Sequence, residues 1–268
     1  MTSSAPAPTG RRPEHAQAPT GLPESSSTTR RSDSGNWAAP VTSLDPRTAG
    51  GVHEGVRNRR VLGAVQGFGK LWQKTYRVRL DGAPVTPRQV IATWKAHFPE
   101  FWPPRRARFY GPITGIAPGE VALLDVHAPG GLKMSTGVLV LYADEESFTF
   151  MTPEGHMFAG WITFSAYDDG GTSIAQTQVL IRAQDPIGEL TFMLGGHKME
   201  DRFWEETLQA LAERFGVTAT TTMESVCVDP RRQWRRVGNV RHDIAIRSTW
   251  RAATAPVRWI RGRVRRPS

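Results

Sequence analysis

Phe148-Thr-Phe-Met-Thr-Pro-Glu-Gly-His-Met-Phe-Ala-Gly-Trp-Ile-Thr-Phe164 is the stretch that decides the fold. Thr152-Pro153-Glu154-Gly155 has the residue order of a type I turn, proline second and glycine fourth. The flanks, Phe148–Met151 and Met157–Ala166, are aromatic and β-branched, so the spacing predicts a hairpin. Thr172–Arg182 continues it as a third strand across the turn Asp168-Asp169-Gly170-Gly171. Asp185-Pro186 then opens a helix, with aspartate as N-cap and proline at the first helical position. Ile187, Leu190, Met193 and Leu194, then Trp204, Leu208, Leu211 and Phe215, form its apolar stripe. Gly216 serves as its C-cap.

Two glycines, Gly195 and Gly196, lie inside that helix, and each costs about 1 kcal/mol relative to alanine. Either the helix breaks there into two or backbone approaches a neighbour closely.

Upstream, Lys74–Leu80 alternates Tyr76, Val78 and Leu80 against Arg77 and Arg79, as a half-exposed strand does. Thr86-Pro87-Arg88-Gln89 is a capping box, followed by Val90, Ile91, Trp94 and Phe98 at helical spacing. That helix stops before Pro99, and Phe101-Trp102-Pro103-Pro104 makes a rigid aromatic connection whose rings plug one end of the core, with ligand contact as the alternative. Glu120–His127 and Met134–Ala143 read as two further strands. Gly67-Phe68-Gly69-Lys70 lacks the spacing of a phosphate loop and is set aside.

The 268 residues carry a net charge of +9, unevenly spread. Residues 1–60 hold +3, residues 61–216 hold −3 and residues 217–268 hold +9, so the basicity belongs to the ends. Residues 1–60 are rich in Ser, Thr, Pro and Ala with little apolar content, which predicts a disordered arm. Residues 217–268 read as a basic Arg/Trp tail whose guanidinium and indole groups suit an anionic membrane surface or, less well, nucleic acid. Arg231, Arg232, Trp234, Arg235, Arg236 and Trp259 are its candidate contacts; a solvated tail is the plainer alternative. The single cysteine, Cys227, excludes an intramolecular disulfide and a Cys-based zinc site. Met1–Gly10 has no basic start leading to an apolar run, so it does not read as a signal peptide. A cytoplasmic protein, with peripheral membrane contact through the tail, is the expectation.

The chain resembles the START-like superfamily, also called SRPBCC or Bet v 1-like, and within it an uncharacterised bacterial branch. Val85–Trp94 leading to Phe98-Pro-Glu-Phe-Trp102, and Phe148 to His156 with Gly160 and Phe164, carry the likeness over residues 61–216. The resemblance implies an α+β helix-grip fold: a curved antiparallel sheet gripping a long C-terminal helix, flanked by disordered tails. It also implies an apolar cavity for a lipid- or polyketide-like molecule, and in some members cyclase or hydrolase activity.

Independently, an apolar wall with a few polar groups is what a small-molecule pocket needs. His156, Phe158, Trp161, Ile162, Phe164, Gln178, Arg182 and Leu194 are the candidate ligand-binding residues; a packed core beside a wet sheet surface is the alternative. No catalytic motif, cofactor motif or complete metal-ligand set stands out. Asp125 and His127 share a strand face and could form an acid–base pair, or simply polar surface. His197 and Asp201, one helical turn apart, could hold a metal or pair on the helix surface.

Overall fold

The computed structural model describes residues 33–45, 56–127, 133–243 and Ile246. Eight strands form one curved antiparallel sheet: β1 (Leu71–Arg79), β2 (Ala107–Tyr110), β3 (Val121–His127), β4 (Lys133–Ala143), β5 (Ser147–Met151), β6 (Phe158–Asp169), β7 (Thr172–Ala183) and β8 (Thr222–Asp229). Their order is β2-β3-β4-β5-β6-β7-β1-β8, so the first long strand returns to lie between β7 and β8. Helix α1 (Pro87–His97) closes one end, while α2 (Pro186–Thr191) and α3 (His197–Arg214) cross the sheet. This is the helix-grip arrangement that the resemblance implies.

The two sheet faces are sorted by the period-2 alternation of side chains. Tyr76 and Val78 of β1, Phe148 and Phe150 of β5, Phe164 of β6, and Val179 and Ile181 of β7 point to the gripped side, against Leu208 and Leu211 of α3. Burying each large apolar side chain stabilises the fold by about 1.5–3 kcal/mol, so this layer dominates stability.

The capping box at Thr86 forms as read: the Thr86 hydroxyl accepts from the Gln89 amide at 3.3 Å, and Oε1 of Gln89 accepts from the Thr86 amide at 2.8 Å. A 3₁₀ turn, Phe98–Phe101, follows α1 directly and carries Phe98 into the core.

The hairpin exists, but its turn lies one residue later than the Pro-second reading placed it. The His156 amide donates to the Pro153 carbonyl at 3.1 Å, which makes Gly155 the third turn residue, at φ +85°. Positive φ at that position is where glycine is at home, so the glycine rather than the proline sets the turn.

The sheet also continues beyond the boundary expected at Gly216. β8 pairs with β1 from Arg77↔Thr222 to Leu71↔Asp229, which removes residues 222–229 from the tail. Thr222, Val226 and Val228 supply its β propensity, and its mostly exposed side chains are those of an edge strand. A 3₁₀ segment, Trp234–His242, then folds back on the body through Asn239, whose amide donates to the Gln66 and Gln184 carbonyls. The arm boundary at residue 60 moves as well. Leu44 and Val56 are buried against Val121, Leu123 and Leu139 on the outer face of the sheet. Trp37 bridges to Tyr142.

Candidate functional site

The gripped side is floored by aromatic rings. Phe98 has its centroid 4.8–5.7 Å from the rings of Trp102, Phe109, Phe148, Phe150 and Phe164. Trp94 stands edge-on to Phe164 at 5.2 Å. Three hydrogen-bonding atoms bordering these rings are buried without a partner among the described residues: Nε1 of Trp94, Nε1 of Trp102 and Oγ1 of Thr177. Thr177 is fully buried and pairs in register with Tyr76 on one side and Phe164 on the other, so its hydroxyl faces the same interior. A buried polar group without a partner costs about 1–3 kcal/mol. An interior of this composition is apolar with a few donors in fixed places.

At the neighbouring end lies a charged cluster. Lys74, 2% exposed, donates to Oε2 of Glu200 at 2.8 Å and to Oδ1 of Asp201 at 2.7 Å. The Tyr76 hydroxyl donates to the same Asp201 oxygen at 2.7 Å. Burial pushes the Glu200 carboxyl up, and Lys74 pulls it back. Burial together with Glu200 and Asp201 also raises the Tyr76 hydroxyl, which stays protonated. These groups saturate one another and fasten α3 to β1.

Above this end the long helix breaks. Leu194 (φ −85°, ψ 16°) and Gly195 (φ +120°, ψ 0°) leave helical geometry inside a wide turn over Phe192–Gly196. Gly195 takes a positive φ that most residues avoid, which answers the question posed by the glycine pair: the helix is two helices. Beneath the break, Phe192 packs 4.5 Å from Phe158 and 4.4 Å from His197, whose ring lies 4.9 Å from Trp72. Burial lowers the His197 imidazole to about 4, with Lys74 acting in the same direction, so the ring is neutral at pH 7.

The structure separates the sequence-predicted ligand residues. Phe158, Ile162 and Phe164 belong to the gripped face, whereas Trp161, Gln178 and Arg182 alternate onto the opposite one. One pocket cannot contain both sets, because consecutive strand residues point to opposite faces. Arg182 is a staple: it donates to the Gly69 carbonyl at 2.6 Å, to the Arg231 carbonyl at 2.9 Å and to Asp229 at 2.6 Å, binding the end of β8 to β7. Gln178 reaches Thr75 at 3.4 Å. Leu194 is 79% exposed and lines no interior. His156 is buried at the hairpin turn, where Nδ1 accepts from the Phe158 amide at 3.0 Å. Burial lowers it to about 4, so it too is neutral.

Asp125 is buried and accepts from Tyr110 at 2.9 Å and Ser135 at 2.6 Å, while His127 is exposed, so the structure joins Asp125 to those hydroxyls. Asp201 is engaged by Lys74 and Tyr76, and among the described residues no group of three or more His, Cys, Asp or Glu could hold a metal ion. Of the tail candidates, Arg232 pairs with Glu189 at 3.0 Å and Trp234 stands 5.3 Å from Phe68. Arg231 donates to Asp229, and Arg235 and Arg236 are exposed. Trp259 lies outside the described residues.

Sequence reasoning missed Lys74, Thr177 and Glu200. Each left a trace: Lys74 and Thr177 sit at apolar parity on their strands, and Glu200 falls on the stripe that continues through Trp204, Leu208 and Leu211.

No family model matches the chain, and no curated protein does. Among solved structures, a START superfamily protein from Mycobacterium smegmatis is 19% identical over 55% of this chain and 98% of its own, with a TM-score of 0.39. The di-domain ARO/CYC StfQ of the steffimycin biosynthetic pathway is 13% identical over 55% of this chain and 53% of its own, with a TM-score of 0.41. Major latex-like protein 151 from Panax ginseng is 15% identical over 55% of this chain and 99% of its own, with a TM-score of 0.36. The strand order and the gripped helix of this chain make its fold a helix-grip α+β fold.

Proposed function

We propose that the chain binds a neutral, largely apolar small molecule carrying acceptor oxygens, of lipid- or polyketide-like character, between the sheet and α3, without catalysis. The observation that carries this is the trio of buried, unpartnered groups, Trp94 Nε1, Trp102 Nε1 and Thr177 Oγ1, set among aromatic rings. An apolar wall with a few fixed donors orients a ligand through its oxygens. Lys74 is held by both Glu200 and Asp201, so the site offers a guest no unpartnered cation and favours a neutral molecule over an anionic one. The break at Leu194–Gly195 is the natural place for admission, because a helix interrupted there can open without unwinding α3.

The test is thermal shift of the full chain with ring-fused ketones and phenols, fatty acids, and hydrocarbons of matched size. The oxygenated neutral compounds should raise Tm progressively, with the logarithm of concentration above Kd, and the hydrocarbons should do so less. Equal stabilisation by hydrocarbon and oxygenated partners would remove the role of the three donors; no stabilisation by any compound would refute the binding itself.

A further inference from the structure

We infer that the broken helix and the arginine turn behind it form one docking face for an anionic lipid bilayer. Leu190, Met193 and Leu194 are 55%, 64% and 79% exposed; Leu190 and Met193 stand i and i+3 ahead of the break, and Leu194 is the first residue of the break itself. Single exposed apolar residues are ordinary, but three neighbours in this spacing make a patch.

The patch runs into the folded-back C-terminal segment. The Arg232 guanidinium lies 3.3 Å from Sδ of Met193 and 3.0 Å from Glu189. Two residues on, Trp234 is 70% exposed, and Arg235 and Arg236 are exposed beside it. Apolar side chains, an indole and guanidinium groups on one face are the composition of an interfacial anchor.

Charge decides both partner and orientation. Residues 61–216 carry −3, whereas the described residues 217–243 hold five arginines against three acids, with Arg235 and Arg236 exposed beside the apolar patch, so an anionic surface repels the body and attracts this face. Docking here would bring the break, read above as the point of admission, to the membrane. That consequence rests on the proposed function, whereas the docking is tested without any cargo.

The test is sedimentation of the full chain with vesicles of phosphatidylcholine alone or mixed with phosphatidylserine. Binding should need the anionic lipid and weaken with salt. Leu194→Asp, at a position exposed enough to leave folding intact, should weaken it at least about tenfold, since a whole leucine no longer enters the interface. Arg235→Glu with Arg236→Glu should weaken it by more than about twenty-fivefold, each arginine being worth about fivefold near such a surface. Unchanged circular dichroism melts keep both variants informative. Failure to sediment with the anionic vesicles overturns the inference, as does full binding by Leu194→Asp. So does tighter capture by a single-stranded oligonucleotide that Leu194→Asp leaves untouched, which would make the face a nucleic-acid contact. Tm shifts in vesicle-free solution report on cargo alone, so each claim can fail without the other.

Discussion

Replacing Thr177 by valine sets stability against binding. The two side chains are nearly the same shape, and Thr177 Oγ1 is fully buried without a partner. Removing that hydroxyl should stabilise the unliganded protein by about 1–2 kcal/mol, the cost of an unmade buried hydrogen bond less what local relaxation recovers. For a domain of this size that is a rise in Tm of about 3–6 °C. With an oxygenated ligand present the sign reverses in part. One hydrogen bond of about 0.5–1.5 kcal/mol is lost, so Kd rises about two- to twelvefold. The assay is a pair of melts, with and without the best compound from the thermal-shift series, plus a titration by tryptophan fluorescence. A variant that is less stable than the parent would show that Thr177 is satisfied within the fold. A variant with unchanged Kd would show that its hydroxyl meets no ligand, and either result refutes the reasoning.

Lys74→Met should destabilise by about 3–5 kcal/mol at pH 7, because it strands two carboxylates that Lys74 now holds at 2.7–2.8 Å. Lys74→Met with Glu200→Gln and Asp201→Asn should recover most of that loss in urea melts; a triple variant no better than the single one would contradict the pairing. His156, lowered to about 4 by burial, should cost the protein about 2 kcal/mol between pH 7 and pH 5. Its folded value lies below the unfolded one, so stability falls as pH drops through 6.5, and His156→Asn should flatten that slope. Asp185, raised to about 6 by burial with Asp243 adding to it, works in the opposite direction. Its penalty appears as pH rises from about 4 to 6, so Asp185→Asn, which keeps an N-cap acceptor for the Gly188 amide, should gain over the parent at pH 7 and not at pH 4. Gly160→Ala should fail to fold or melt far lower, since φ is +150° there and a Cβ would collide with the Leu180 carbonyl.

Local chemistry was legible in the sequence, and distant pairing was not. The box at Thr86, the Asp185 cap and the alternation along β6 and β7 depend on residues within a turn of one another, and each can be read from order alone. The glycine pair posed the right question, because a positive φ is a property of the residue itself. β2 has only four residues after a proline-rich connection, too few to show a period. β8 was hidden by its charge, since the arginines that follow it made the whole stretch resemble a tail. The candidate site suffered most. Parity identified two faces of β6 and β7 correctly, yet residues from both were assigned to one pocket. The partners that explain Arg182 and Lys74 lie 47 and 126 residues away, and only the fold brings them together.

The most direct measurement of the central claim is native mass spectrometry of the full chain, purified without detergent and followed by organic extraction of whatever is bound. The account predicts a stoichiometric adduct that is neutral, mostly hydrocarbon and oxygen-bearing, and that is diminished in Thr177→Val. A chain that flies empty, and stays empty after incubation with the compounds that best raise its Tm, would contradict it.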